Sequence, residues 1–120
     1  MIWSRGKLNQ YKVIKSHQPE SKIHIELKNG DCVTVERRKT QWAGWLWCTT
    51  EDGRTGWVPE SWVDVSGSQG IMKQDYNSYE LTVEPGDFLQ GILIESEWLL
   101  AKTSDDITGW VPLECLGKSY

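Results

Sequence analysis

Apolar and polar side chains alternate in short runs along this chain, and no stretch sustains the 3.6-residue spacing of an amphipathic helix. Ile23-His24-Ile25-Glu26-Leu27 alternates strictly, Asn29-Gly30-Asp31 punctuates it, and Cys32-Val33-Thr34-Val35 resumes the β pattern. Trp45-Leu46-Trp47-Cys48-Thr49 is aromatic and β-prone, and Glu51-Asp52-Gly53 after it is a hairpin turn signal. Val58 precedes Pro59, which ends that strand, and Glu60-Ser61-Trp62 predicts a single 3₁₀ turn. The second half reads Glu80-Leu81-Thr82-Val83, then Pro85-Gly86-Asp87, then Phe88 to Ile94, then Trp98-Leu99-Leu100-Ala101. About five short strands per half predict compact closed barrels that leave few exposed edges.

The two halves are copies. Gly56-Trp57-Val58-Pro59 returns as Gly109-Trp110-Val111-Pro112, Gly30-Asp31 returns as Gly86-Asp87, and Trp45-Leu46 returns as Trp98-Leu99. Features recurring in the same order mark a duplicated unit, and a spacing of about 55 residues lets each copy fold separately. The expected fold class is all-β, with two small five-stranded barrels in tandem. The first domain spans 1–66, with a short N-terminal extension, and the second spans 67–120. Ser66-Gly67-Ser68-Gln69-Gly70 is small and polar, as a flexible linker would be. So short a linker predicts that the two barrels contact each other.

Charge and cysteine content narrow the chemistry. Net charge is −4. Residues 1–66 hold ten basic and eight acidic side chains, and residues 67–120 hold three and nine. No continuous cationic surface for nucleic acid results, because phosphate neutralisation needs clustered cations. Cys32, Cys48 and Cys115 cannot all pair, and none has the close spacing of a metal knuckle. Cys32 and Cys48 lie in hydrophobic runs and read as small buried hydrophobes. Free thiols suit a reducing compartment. The first residues lack an apolar run of signal-peptide length, and nowhere do 18 apolar residues occur in succession. The expectation is a cytoplasmic protein without a membrane span. His17 and His24 have no partners at metal-ligand spacing, no glycine loop cradles phosphate, and Asp105-Asp106 reads as a solvated turn. No enzyme, metal or cofactor is expected.

Taken together, a hydrophobic start, a long loop, Gly-Asp, a Trp-led strand, a turn and Gly-Trp-Val-Pro resemble the Src homology 3 family, present twice. Asp75-Tyr76 resembles the end of that family's opening Ala-Leu-Tyr-Asp-Tyr segment, and Glu80 to Asp87 resembles its diverging turn. Trp98 resembles its binding-site tryptophan, and Gly109 to Pro112 its final binding strand. In the first copy the same positions read Lys15-Ser16-His17, His24 to Asp31, Trp45, and Gly56 to Pro59, with Trp62 for the last tyrosine. The wording is closer to the variant, often prokaryotic, members. The likeness covers roughly residues 11–65 and 71–117.

What the resemblance implies is a non-catalytic interaction module. A polyproline II ligand is pre-extended, and its ridges fit between aromatic rings. By resemblance the first copy offers His17, Trp45, Trp57, Pro59 and Trp62, and the second offers Tyr76, Trp98, Trp110 and Pro112. Eight tryptophans in 120 residues exceed what a small core absorbs, so Trp45, Trp57, Trp98 and Trp110 are expected at the surface. Trp42 and Trp47 suit either the surface or an inter-domain contact. Arg37, Arg38 and Lys39 flank the first groove and favour an anionic ligand, whereas Glu95 and Glu97 beside Trp98 favour a cationic one.

The departures weaken the likeness to proline-peptide readers. The opening segment's first tyrosine is Lys15 in one copy and Gln74 in the other, and Cys115 replaces the last tyrosine of the second. Binding to conventional PxxP peptides is therefore expected to be weak or absent. The reading is a module that holds an extended or proline-containing segment, mainly on the first barrel. A cell-wall or glycan-binding module, and an architectural tandem with no peptide ligand, stand as alternatives.

Overall fold

The computed structural model describes residues 9–19, 23–39 and 43–118. Among these the chain forms short strands and two single 3₁₀ turns, and no α-helix. The strands are β1 (Gln10–Val13), β2 (Glu26–Leu27), β3 (Cys32–Glu36), β4 (Trp45–Thr49), β5 (Thr55–Pro59) and β6 (Val63–Ser66). They continue as β7 (Gln69–Met72), β8 (Tyr76–Asn77), β9 (Phe88–Glu95), β10 (Trp98–Lys102), β11 (Thr108–Pro112) and β12 (Leu116–Lys118). The expected turn at Glu60–Trp62 is present, and Leu113–Cys115 repeats it.

Two compact units result: Ser21–Tyr79, continuous in sequence, and a split unit of Met1–Glu20 with Glu80–Tyr120. In the continuous unit a five-stranded antiparallel sheet runs β5-β4-β3-β7-β6, and β2 pairs with β8. Its core is Ile25, Leu27, Val33, Val35, Leu46, Cys48, Val58, Val63 and Met72, all buried. In the split unit the sheet runs β11-β10-β9-β1-β12. Its core holds Val13, Leu81, Val83, Leu89, Leu99, Ala101, Val111 and Cys115, with Tyr11, Leu113 and Leu116 packed against it.

These units do not follow the division expected between residues 66 and 67. The first strand of each half lies in the sheet built mainly by the other half: β1 pairs with β9 and β12, and β7 pairs with β3 and β6. The reason lies in Ser66–Gly70, which is a hairpin and not a flexible linker. Ser66 pairs with Gln69, leaving Gly67 and Ser68 as a two-residue turn. Gly67 takes φ 62°, which glycine adopts without steric cost at the first central position of such a turn. So tight a turn folds β7 back on β6 and removes it from the sheet of its own half. The continuous unit thus has the expected strands in permuted order, its opening strand coming near the end.

Two local expectations are also corrected. Ile23 to Leu27 is extended only at Glu26–Leu27, and Glu80 to Val83 makes isolated bridges, His17 with Val83 and Glu80 with Trp110, in place of a strand. Cys32 is exposed, because its side chain lies on the outer face of a strand whose inner face carries Val33 and Val35.

Candidate aromatic binding faces

In the continuous unit the β4–β5 hairpin places Trp45 opposite Pro59 and Trp47 opposite Trp57, while Leu46 and Val58 turn to the core. The Trp47 and Trp57 rings meet edge to face at 5.1 Å. Strands β2 and β8 bring Tyr76 into this unit, where its hydroxyl donates to the Trp57 carbonyl at 2.7 Å. The Tyr76 ring stands at 90° to Trp62, 5.5 Å away. Tyr76 therefore joins the Trp57 backbone to the Trp62 ring.

Two of the three cations expected to select the ligand's charge, Arg37 and Arg38, are engaged within the protein. The Arg38 guanidinium lies 4.6 Å from the centre of the Trp47 ring, and its Nε donates to Glu36 at 2.8 Å. Arg37 donates to Glu60 at 3.1 Å. Both pairs are exposed, and such pairs are worth under about 1 kcal/mol, so a ligand carboxylate can compete for either. Lys39 is exposed.

In the split unit Trp98 faces Pro112, and Leu100 faces Trp110. His17 arrives on the segment after β1 and is held by reciprocal backbone bonds to Val83 of 3.0 and 2.9 Å. Its Nε2 lies 2.9 Å from Glu80 Oε1, and its ring meets Trp98 edge-on at 5.7 Å. The Trp110 carbonyl accepts the Leu81 amide at 2.9 Å. Cys115 is buried beside Ser16, and burial, with Glu114 nearby, pushes its thiol pKa up. Glu97 is exposed in the β9–β10 turn, and Glu95 is half-buried.

His17 and Tyr76 have exchanged places relative to the sequence reading. His17 was expected beside Trp45, Trp57, Pro59 and Trp62, and it sits beside Trp98. Tyr76 was expected beside Trp98, Trp110 and Pro112, and it sits against Trp57 and Trp62. The cause is the strand exchange, which carries each residue with the segment that follows the exchanged strand. Exposure is corrected too. Trp45 and Trp98 are 9% and 8% exposed and Trp110 only 2%, so three of the four tryptophans expected in solvent are buried. Pro59 and Pro112 are wholly buried. Trp57 and Trp62 keep intermediate exposure, as does Trp47. Trp42 lies outside the described residues.

Glu80 was absent from the expected site, although its place beside Leu81 in the diverging turn was visible. Its pairing with His17 spans 63 positions, which no local signal encodes. Among the described residues no group of three or more His, Cys, Asp or Glu is arranged to hold a metal ion. Among the described residues no helix is long and apolar enough to cross a membrane.

No solved structure matches the chain. Residues 10–66 match the family described as the variant SH3 domain, a span that includes β1 and ends with β6. That likeness to the variant SH3 domain covers just under half of the chain.

Proposed function

We propose that this chain is a non-catalytic protein-interaction module that holds an extended or proline-containing peptide segment, chiefly on the tryptophan face of the continuous unit. SH3 domains are generally protein-interaction modules, and residues 10–66 match that family. Residues 67–120 supply a second, related set of strands. The matching sheet orders β5-β4-β3-β7-β6 and β11-β10-β9-β1-β12 support reading them as the counterpart barrel.

One observation carries the choice of face. Trp47, Trp57 and Trp62 keep intermediate exposure, whereas Trp98 and Trp110 are buried. Only rings with accessible surface can stack on a ligand. Arg38 lies against Trp47 and Arg37 pairs with Glu60 next to Pro59, so a peptide bearing carboxylates gains from displacing Glu36 and Glu60, with the exposed Lys39 following in sequence. Pro112, Trp110 and Cys115 act as packing groups of the split unit.

The test is titration of ¹⁵N-labelled protein with a proline-rich peptide library, including acidic members. Indole signals of Trp47, Trp57 and Trp62 should shift with added peptide, and those of Trp98 and Trp110 should not. Trp57→Ala should weaken binding about 30-fold, equivalent to the roughly 2 kcal/mol of an interface hot spot. Shifts confined to Trp98 would move the site to the split unit.

A further inference from the structure

We infer that the exchange of first strands is written into side-chain volumes, so that β1 fits only the split unit's sheet and β7 only the continuous one. The two strands occupy equivalent places. Lys12 faces Phe88 just after Gly86-Asp87, and Ile71 faces Cys32 just after Gly30-Asp31. By the same registers Tyr11 matches Gly70, Leu89 matches Val33, and Gly91 matches Val35.

The fillings of these matched places are opposite. In the split unit a large residue on the first strand meets a glycine: a Cβ added at Gly91 would lie 2.7 Å from Tyr11 Cε1 and 3.2 Å from Leu99 Cδ1. In the continuous unit the glycine is on the first strand. A Cβ added at Gly70 would lie 2.5 Å from Val63 Cγ1, 3.0 Å from Val35 Cγ2 and 3.3 Å from Val33 Cγ2. Close-packed interiors tolerate neither overlap nor a void of ring size. If each half closed on its own first strand, Tyr11 would enter the place that excludes even a methyl group. Gly70 would then stand beside Gly91, with the phenol's volume empty. The two mismatches act together against self-closure.

The two-residue turn at Gly67-Ser68 also favours exchange, so the experiment must separate turn length from volume. Cys32 supplies the probe, because it is exposed and directly opposite Ile71. In the self-closed pairing, Lys12 would take Ile71's place opposite it. The full chain carrying Lys12→Cys and Ile71→Cys is given about a dozen Gly and Ser residues between Gly67 and Ser68, which frees β7 from the hairpin. It is then oxidised with a mild thiol oxidant and mapped by peptide mass spectrometry. We expect the bond between positions 32 and 71 to predominate despite the long insertion. A predominant bond between positions 12 and 32 would overturn the inference and leave turn length as the cause.

A second measurement needs no insertion. Gly91→Ala should lower the folding equilibrium constant at least tenfold in the natural background. The loss should shrink to less than threefold when Tyr11→Ala is also present. Equal losses in the two backgrounds would show that Tyr11 and Gly91 do not specify each other, and would overturn the inference.

Discussion

Cys32 and Cys48 take opposite roles on neighbouring strands of one sheet. Cys32 is exposed, whereas Cys48 is fully enclosed, and burial pushes its thiol from about 9 to about 11. Well below pH 9 the thiol is protonated in folded and unfolded chains alike, so it adds no pH dependence there. Between pH 9 and 11 the unfolded chain loses the proton and the folded chain keeps it. Stability therefore falls as pH rises through this window, by at most about 1.4 kcal/mol per unit from this group. Urea unfolding at pH 8, 9 and 10 should show that extra slope in the natural chain relative to Cys48→Ala. Parallel slopes in the two proteins would show that Cys48 ionises as readily folded as unfolded. The hydrophobic runs around both cysteines were plain in the sequence. Which thiol faced inward was a matter of pleat phase, and Cys32 begins its strand on the outer face.

Hairpins are the elements that hold both sheets together. The β4–β5 turn behaves as Glu51-Asp52-Gly53 predicted, with Gly53 at φ 89°. The Thr50 hydroxyl bonds Asp52, and that bond, with Arg54 nearby, holds the carboxyl below its usual range. The β9–β10 turn is less well matched to its residues. Ser96 and Glu97 adopt φ 45° and 73°, the positive values of a two-residue turn that favours Asn and Gly. A Cβ in that region costs about 1–2 kcal/mol, part of which glycine returns through its freer unfolded state. Glu97→Gly should therefore stabilise the chain by about 0.5–1 kcal/mol in thermal or urea unfolding. It should leave peptide binding unchanged if the tryptophan face of the continuous unit is the site. A loss of stability would mean that Glu97 makes compensating contacts. The β6–β7 turn was the element hardest to read. Ser-Gly-Ser-Gln-Gly has the composition of a spacer, and only its pairing of Ser66 with Gln69 shows it to be a hairpin.

Strand exchange has a consequence for the whole molecule. Every strand of the continuous unit comes from Ser21–Tyr79, and its two ends are tied together. The Ile25 amide donates to Ser78 Oγ at 2.9 Å, and the Ser78 amide donates to the Ile25 carbonyl at 3.0 Å. A fragment of residues 21–79 should fold alone, with a dispersed amide spectrum and cooperative unfolding. A fragment of residues 10–66, the span of the family match, lacks β7 and would have to seat Tyr11 against Val33, Val35 and Val63. It should be at least tenfold less favourably folded than the 21–79 fragment. The reverse order of stability would show that β1 serves either sheet.

Sequence alone determined the β character and most of the strand and turn positions. Each of these is carried by a local pattern: alternation of period two, a Gly-containing turn, or a Pro that ends a strand. Tertiary structure decided which sheet each first strand joins, and hence that His17 lies by Trp98 while Tyr76 lies by Trp57 and Trp62. It also decided that Trp98 and Trp110 are buried while Trp57 and Trp62 keep solvent contact. The physical reason is that partner choice compares two nearly equivalent sheets built from distant segments. That comparison turns on a few side-chain volumes, among them Tyr11 against Gly91 and Gly70 against Val35. The alternation of a single strand contains no information about the volume waiting opposite it.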